Sequence, residues 1–389
     1  MKLIFHIDMN SFFASCEQSV NLELMNKPII VAGDPKYRKG IVLAASYEAK
    51  AFGIKTTMPV YRALKLCPQA KIIKSNYALY AETSKKVMRI FDDYTPEKEQ
   101  MSIDEAFLNM TGTNKIFGDY INAAKKIQNR IYEELNIGCS VGISSNRLLA
   151  KMASDMKKPM GITVLFPEDI EDKMWHMPVR KLYGVGRVTA EKLDHLGVKT
   201  IGDLAKSDRR YIANICGETM ANKIISSANG KGSDKFNLKI KNPSLGSEFT
   251  YREDIADMNR IKDELLLLSD TVSFRLRKAN KKARTITLKI KYNDFKVITR
   301  SVTTNNQFTS TNFIYEQALK LFEKSPVNKA VRLLGISLSN FDEKLQLSLF
   351  DNNDVMNSKV DSITDILRDK YGYGSIKRAS LIKGNDEKN

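Results

Sequence analysis

The sequence predicts an α+β, multidomain chain, and three observations carry that reading. Its 389 residues suit about two to four domains at roughly 100–200 residues each. Short apolar runs alternate with helix-spaced segments in the first part, vanish in a middle stretch, and return in a later one. Hydrophobic residues make up 42% and charged ones 28%, a balance that excludes wholesale disorder. No apolar run approaches the ~20 residues a membrane span needs, so no membrane association is expected.

The elements follow in order. Residues 3–7 form a short apolar run, read as a buried strand, and 11–20 has helical spacing. A second strand is expected over 28–32, a long helix over 77–94, and a strand–turn–strand over 100–110 around Asp104-Glu105. Residues 122–135 are helical, 139–144 a strand, and 146–156 a helix that must end near Lys157-Lys158-Pro159. From 174 to 230 no strand-like run occurs, and Gly184-Val185-Gly186 sits between apolar helical segments, which predicts a small helical domain. Residues 231–243 are polar and basic with Gly and Pro at the ends, and read as a linker. Mixed structure returns over 245–338, with strands over 285–291 and 332–338. Past Phe341 the chain turns polar, apart from an apolar island at 345–350 and a helix-spaced segment at 360–371.

Charge narrows the function. Lys and Arg number 62 against 45 Asp and Glu, a net +17, and a chain this basic most often meets a polyanion. Between Lys231 and Lys344 there are 22 basic and 13 acidic residues, and Arg275, Arg277, Lys278, Lys281, Lys282 and Arg284 crowd into ten positions. The four cysteines (Cys16, Cys67, Cys139, Cys216) stand far apart with only three histidines in the chain, a poor zinc or disulfide framework. The opening residues reach Asp8 too soon for a secretory signal. A reduced, cytoplasmic protein is expected.

Asp8 ends the first strand, and Asp104-Glu105 lies in a later turn. Strand ends on one sheet can bring three carboxylates together, where they repel unless a cation is present. Two Mg²⁺ ions there could activate one oxygen and stabilise another in phosphoryl transfer. From spacing alone, solvated turn acids are the commoner reading.

Longer strings decide more. Ile7-Asp8-Met9-Asn10-Ser11-Phe12-Phe13-Ala14, Ser46-Tyr47-Glu48-Ala49-Lys50-Ala51-Phe52-Gly53-Ile54, Met58-Pro59, Ser102-Ile103-Asp104-Glu105-Ala106-Phe107-Leu108, Ser140-Val141-Gly142-Ile143-Ser144, Asn146-Arg147-Leu148-Leu149-Ala150-Lys151-Met152-Ala153-Ser154-Asp155 and Lys157-Lys158-Pro159-Met160-Gly161 follow one another. Together, over residues 2–349, they resemble the DinB-type Y-family of translesion DNA polymerases. The resemblance implies a right-hand polymerase with palm, small fingers, a helical helix–hairpin–helix thumb and an α/β little finger. The corresponding boundaries are 1–32 and 77–173 for the palm, 33–76 for the fingers, 174–230 for the thumb, 231–243 for the linker, 244–344 for the little finger, and 345–389 for a tail.

The resemblance also implies roles. Asp8 and Asp104 would bind both metal ions, Glu105 the ion that activates the primer 3′-hydroxyl, and the Met9 carbonyl would complete the other shell. Phe13 matches the steric gate under the sugar of the incoming nucleotide. Phe12 reads first as core packing and also stands among the nucleotide-binding positions. Tyr47, Lys50 and Lys158 match the triphosphate ligands. This sequence departs from the family at Lys50, often arginine there, and at Ala44, often threonine. Asn10 replaces a frequent third aspartate, and Arg147 a frequent lysine.

Gly184 and Gly186 lie in the expected hairpin, where backbone N–H groups approach a DNA phosphate. Gln346, Leu347, Leu349 and Phe350 resemble the motif that binds the bacterial sliding clamp, which would raise effective concentration on DNA. About 39 residues follow it; an amphipathic helix folding back and a partner site are both open. The implied partners are primer–template DNA, dNTP and the clamp, with the enzyme a monomer of low fidelity. Two rivals are a non-catalytic DNA- and clamp-binding scaffold, and a cyclase or nuclease with a similar two-metal palm. The intact Asp8, Asp104 and Glu105 argue against the first; the thumb, little-finger and clamp matches argue against the second.

Overall fold

A computed structural model describes residues 2–33, 40–236, 244–325, 329–341, 353–376 and 378–379, with 353–359 in backbone alone. The chain divides into two compact units between Lys239 and Ile240. The first unit holds strands β1 (Ile4–Met9), β2 (Ile29–Ala32), β3 (Ala44–Ala45), β4 (Lys71–Lys74), β5 (Lys98–Gln100), β6 (Glu105–Asn109), β7 (Cys139–Ser144) and β8 (Ile162–Val164). Its helices include α1 (Phe12–Val20), α2 (Tyr47–Ala51), α3 (Tyr77–Asp92), α4 (Tyr120–Leu135), α5 (Arg147–Met156) and α6 (Arg187–His195).

The main sheet runs β5-β6-β1-β7-β8, with β1 antiparallel to both neighbours and β8 parallel to β7. Strand β1 is central and covered on both faces, which is why its residues are buried almost throughout, His6 included, rather than in alternation. Phe5, Ile7 and Met9 pack with Ile90 and Phe91 of α3 and Ile127 and Ile131 of α4. On the other face α5 lies directly on β7. A Cβ at Gly142 would stand 2.0 Å from the Ala150 carbonyl oxygen and 2.3 Å from the Ser154 nitrogen, so only glycine permits that approach. Side-chain caps fix where α3, α4 and α5 begin: Asn76 accepts from Leu79 N, Asp119 from Asn122 N and Asn146 from Leu149 N.

A smaller sheet, β3-β2-β4, has its own core around Ile30, Val42, Ile54 and Val60. Among the described residues from 174 to 230 there are helices and one isolated bridge, Pro178 with Thr200, but no strand. Leu182, Val185, Leu193, Ile201 and Leu204 form that region's core.

The stretch expected as a linker divides. Residues 237–243 lie outside the described set, whereas 231–236 are held against the sheet. Arg147 donates to the Lys235 carbonyl at 3.0 Å, its N–H to the Ser233 carbonyl at 3.1 Å, and Lys2 pairs with Asp234 at 2.8 Å. Phe236 packs on Ile4, Phe107 and Ala150.

The second unit is a four-stranded antiparallel sheet, β9 (Ser244–Ile255), β10 (Ala283–Tyr292), β11 (Val297–Phe308) and β12 (Val331–Ser339), in the order β11-β10-β12-β9. Helices α7 (Met258–Lys278) and α8 (Thr311–Glu323) cover one face. Ile286, Leu288 and Ile290 are buried beneath them, while Thr287, Lys289 and Lys291 alternate on the other side.

The segment after residue 352 folds back onto this unit as α9 (Asn353–Tyr371). Its buried face is charged. Arg277 of α7 donates to Asp361 at 3.1 Å and to Asp365 at 2.6 Å, with side chains 14%, 8% and 18% exposed. Arg368 pairs with Asp270 at 2.9 Å, Asp361 also accepts from the Thr311 N–H, and Lys278 reaches Asp369. The apolar residues Val360, Ile363 and Ile366 are 63%, 59% and 66% exposed, the reverse of an ordinary amphipathic helix. Two members of the basic cluster at 275–284, Arg277 and Lys278, are therefore engaged within the chain. The expected clamp motif, residues 346–350, lies outside the described residues. Among the described residues no helix is long and apolar enough to cross a membrane.

Removing one partner of a buried pair leaves an uncompensated charge. Arg277→Met should lower the unfolding free energy of the second unit by about 3 kcal/mol, whereas Lys278→Met, in an exposed pair, should cost under about 1 kcal/mol. Urea denaturation of both variants checks this; equal costs would show that α9 is not held through Arg277.

Candidate active site

The site begins with strand register. Asp8 lies opposite Glu105 across β1 and β6, and the Met9 N–H donates to the Asp104 carbonyl at 2.9 Å. Three carboxylates thus occupy adjacent backbone positions although about a hundred residues separate them in sequence. As they stand, among the described residues no three His, Cys, Asp or Glu side chains are arranged to hold a metal ion. Lysines stand among them instead. Lys151 Nζ lies 2.5 Å from Glu105 Oε2 and 3.2 Å from Asp8 Oδ2. Lys158 Nζ lies 2.8 Å from both Asp8 Oδ1 and Asp155 Oδ1.

The electrostatics follow from burial and these partners. Burial, reinforced by the charges of Asp8 and Glu105, raises the Asp104 carboxyl although Ser102 donates to it at 2.5 Å. His6 and Lys151 hold Glu105 down at about 2. Burial works against the charge on Lys151 and Lys158, but the facing carboxylates win and both are raised. The donor chemistry fits a hard divalent cation: the candidate ligands are carboxylate oxygens and the Met9 carbonyl, and the pocket already attracts positive charge.

A cavity of about 300 Å³ opens beside Asp8 and Asp104, walled by Phe12, Phe13, Tyr47, Lys50 and Lys158. Ala44 and Thr56 also line it, so a hydroxyl stands in the wall that Ala44 leaves without one. Phe13 stacks on Tyr80 with centroids 4.2 Å apart and planes at 12°. Tyr80 is locked in turn, donating to Glu17 at 2.5 Å and accepting from the Asn76 N–H at 3.0 Å. Phe12 is buried in the main core and also lines the cavity, so both readings of it hold in the geometry.

Tyr47 and Lys50 share one face of α2, with Lys50 Nζ 4.6 Å over the Tyr47 ring and 2.7 Å from Ser11 Oγ. Burial, then the Lys158 charge, lowers Lys50. Ser46 caps α2 and ties it to β2, accepting from the Ala49 and Ile29 N–H groups. Asn10 braces the Lys158 loop: Oδ1 accepts from the Met160 N–H at 2.8 Å and Nδ2 donates to Ser140 Oγ at 2.9 Å.

Gly184 and Gly186 lie elsewhere in the first unit, in the exposed turn before α6. Gly184 has φ +94°, which favours glycine, and a Cβ at either position would meet nothing within 4 Å. Leu182 and Val185 anchor the turn from beneath.

Sequence reasoning missed Lys151, His6, Ser154, Tyr80 and Thr56. Lys151 and Tyr80 stood in plain view, but nothing local points a lysine at an aspartate 143 positions away.

The comparisons agree with this architecture. Residues 7–155 match the impB/mucB/samB family, 167–198 the IMS family HHH motif, and 242–349 the impB/mucB/samB family C-terminal domain. A DNA polymerase IV of Clostridium kluyveri is 44% identical over 98% of each chain. DNA polymerase IV 1 of Bacillus subtilis is 38% identical over 100% of this chain and 95% of its own. Among solved structures, a Y-family Dbh–Dpo4 polymerase chimera superposes with a TM-score of 0.78 at 26% identity, covering 87% of this chain and 99% of that one. An insertion ternary complex of Dbh DNA polymerase gives 0.63 at 26% identity over the same shares. The fold is that of a Y-family polymerase with palm, fingers, thumb and little finger. Across most of its length, then, the chain belongs to the impB/mucB/samB family of Y-family polymerases and is a DNA-directed DNA polymerase.

Proposed function

We propose that the chain extends a primer by two-metal nucleotidyl transfer, in which the primer 3′-oxygen attacks the α-phosphorus of a dNTP and pyrophosphate leaves. One observation carries this: Asp8 and Asp104 line a cavity walled by an aromatic ring and phosphate-suited cations, and the β1–β6 register sets Glu105 opposite Asp8. Asp8 and Asp104 would hold both ions, Met9 would add its carbonyl, and Glu105 would hold the ion nearer the primer. The ions are taken as Mg²⁺, which prefers oxygen ligands; when bound they activate the attacking hydroxyl and offset charge on the leaving group.

The chain's own groups do the rest. Tyr47, Lys50 and Lys158 line the cavity, and their hydroxyl and ammonium groups would oppose the charge of a triphosphate bound there. The Phe13 ring, braced by Tyr80, lines the same cavity and would lie under the sugar, so that a 2′-hydroxyl would collide with it. Gly184 and Gly186 offer backbone N–H groups to a DNA phosphate without reading sequence. Arg277 and Lys278 being engaged by α9, phosphate contacts of the second unit fall to its other cations, and binding should weaken steeply with salt. Palm, fingers, thumb and little finger take the boundaries given above. Recruitment by a sliding clamp rests on the sequence of residues 346–350, and the active unit is taken as a monomer.

Primer extension with dNTPs and Mg²⁺ tests the reading. Asp104→Ala should lose about a thousandfold or more in rate, while salt-sensitive DNA binding survives; extension within about tenfold of the parent would sink the assignment. Phe13→Ala should cut discrimination against ribonucleotides by about a hundredfold. Unchanged discrimination in single-turnover incorporation would remove Phe13 as the gate.

A further inference from the structure

We infer that His6 is a positioning residue for Glu105: its Nε2–H donates to one carboxylate oxygen while its Nδ1 accepts from Ser154. The inference rests on the reading of Glu105 as a metal-binding carboxylate. His6 lies on β1 two positions before Asp8, so both side chains take the same face of the sheet. It has no exposed surface. One ring face packs on Phe107, with centroids 4.6 Å apart. Both nitrogens are aimed at polar groups: Nδ1 is 2.8 Å from Ser154 Oγ, and Nε2 is 3.4 Å from Glu105 Oε2.

Two neutral tautomers compete. With the proton on Nδ1, the Nε2 lone pair is buried against a carboxylate and has no donor, an unsatisfied and repulsive arrangement. With the proton on Nε2, a donor faces Glu105 Oε2 at 3.4 Å, where a small rotation of the carboxylate closes a charge-assisted hydrogen bond. The Ser154 hydroxyl then turns to donate to Nδ1, releasing the Lys151 carbonyl 2.9 Å away. That carbonyl lies inside α5, where the helical N–H four residues on still serves it. The second arrangement turns a donor rather than a lone pair toward the carboxylate, so it is the one the geometry favours.

The consequence concerns direction. Glu105 Oε2 is gripped twice, by His6 Nε2 and by Lys151 Nζ. Lys151 sits on a flexible stem and divides its charge between Glu105 and Asp8. The imidazole is rigid, buried and seated on the central strand. Lys151 therefore supplies charge, and His6 fixes the rotation of the carboxylate and so where its other oxygen points.

Nitrogen-15 NMR of the full-length protein tests this directly. The chain has three histidines, and His176 and His195 are exposed, so the buried ring is readily assigned by its loss in His6→Asn. The Nε2–H form is expected; an Nδ1–H form would overturn the inference. Paired variants add a kinetic readout. His6→Gln keeps an N–H near the Nε2 position, whereas His6→Asn keeps a polar group only near Nδ1. His6→Asn should lower kcat about tenfold and raise the half-saturating Mg²⁺, with the dNTP KM within about twofold, while His6→Gln stays within about threefold of the parent. Equal losses in the two variants at matched thermal midpoints would mean that His6 only packs. Metal-independent extension alongside an Nε2–H ring would sink the two-metal reading and leave the hydrogen bond standing.

Discussion

The structure depends on one pairing: Asp8 opposite Glu105 across antiparallel strands, with Asp104 in the turn that enters the second strand. Carboxylates set this close repel, and partial burial makes each negative charge dearer. The first unit answers with Lys151 and Lys158, both projected from or just beyond α5. Helix α5 can reach the carboxylates only because Gly142 lets its backbone lie directly on β7. Register, helix placement and charge balance are thus one constraint, set by a sheet position where no side chain fits.

Around that centre, each group facing the cavity is held by another behind it. Phe13 has Tyr80, and Tyr80 has Glu17 and the Asn76 backbone. The Lys158 loop has Asn10, and α2 has Ser46. Such support matters because nucleotidyl transfer gains its rate from groups already in place, not from groups that must be ordered during reaction. The second unit uses another device, a buried network in which Arg277 and Arg368 meet Asp361, Asp365 and Asp270. It joins the final helix to the sheet-covering helices through charge where an apolar seam would ordinarily serve.

Much of this was legible in the residues. The runs at 3–7 and 139–144 and the helices near 77–94 and 122–135 show their periods directly, and the structure places β1, β7, α3 and α4 there. The opening string singles out Asp8 and Phe13 and the Ser102–Leu108 string Asp104 and Glu105; Asp8, Phe13 and Asp104 line one cavity, and Glu105 pairs with Asp8. What stayed hidden depends on contacts across distant segments. Tyr80 behind Phe13 and Lys151 beside Asp8 follow from how helices lie on the sheet, which no local pattern encodes. Helix α9 is the sharpest case. Its helical spacing at 360–371 leaves a fold-back and a partner site both open; Arg277 and Asp270 of α7 meet Asp361, Asp365 and Arg368, so the charged face goes inward and Val360, Ile363 and Ile366 stay exposed. Likewise the polar, basic composition of 231–236 suggests a free linker, whereas Arg147, Lys2 and the Phe236 ring hold it down.

The central claim is that the carboxylates by Lys151 and Lys158 are where metal-dependent, templated nucleotide transfer happens. The most direct measurement is single-nucleotide incorporation on a primer–template, with Mg²⁺ titrated into chelator-treated enzyme, for the parent and for Asp8→Asn. This substitution keeps the side chain's shape and removes its charge. The expected result is incorporation by the parent only once Mg²⁺ is added, and none by Asp8→Asn at any concentration. Incorporation by the parent in excess chelator, or by Asp8→Asn at the parent's rate, would contradict the account.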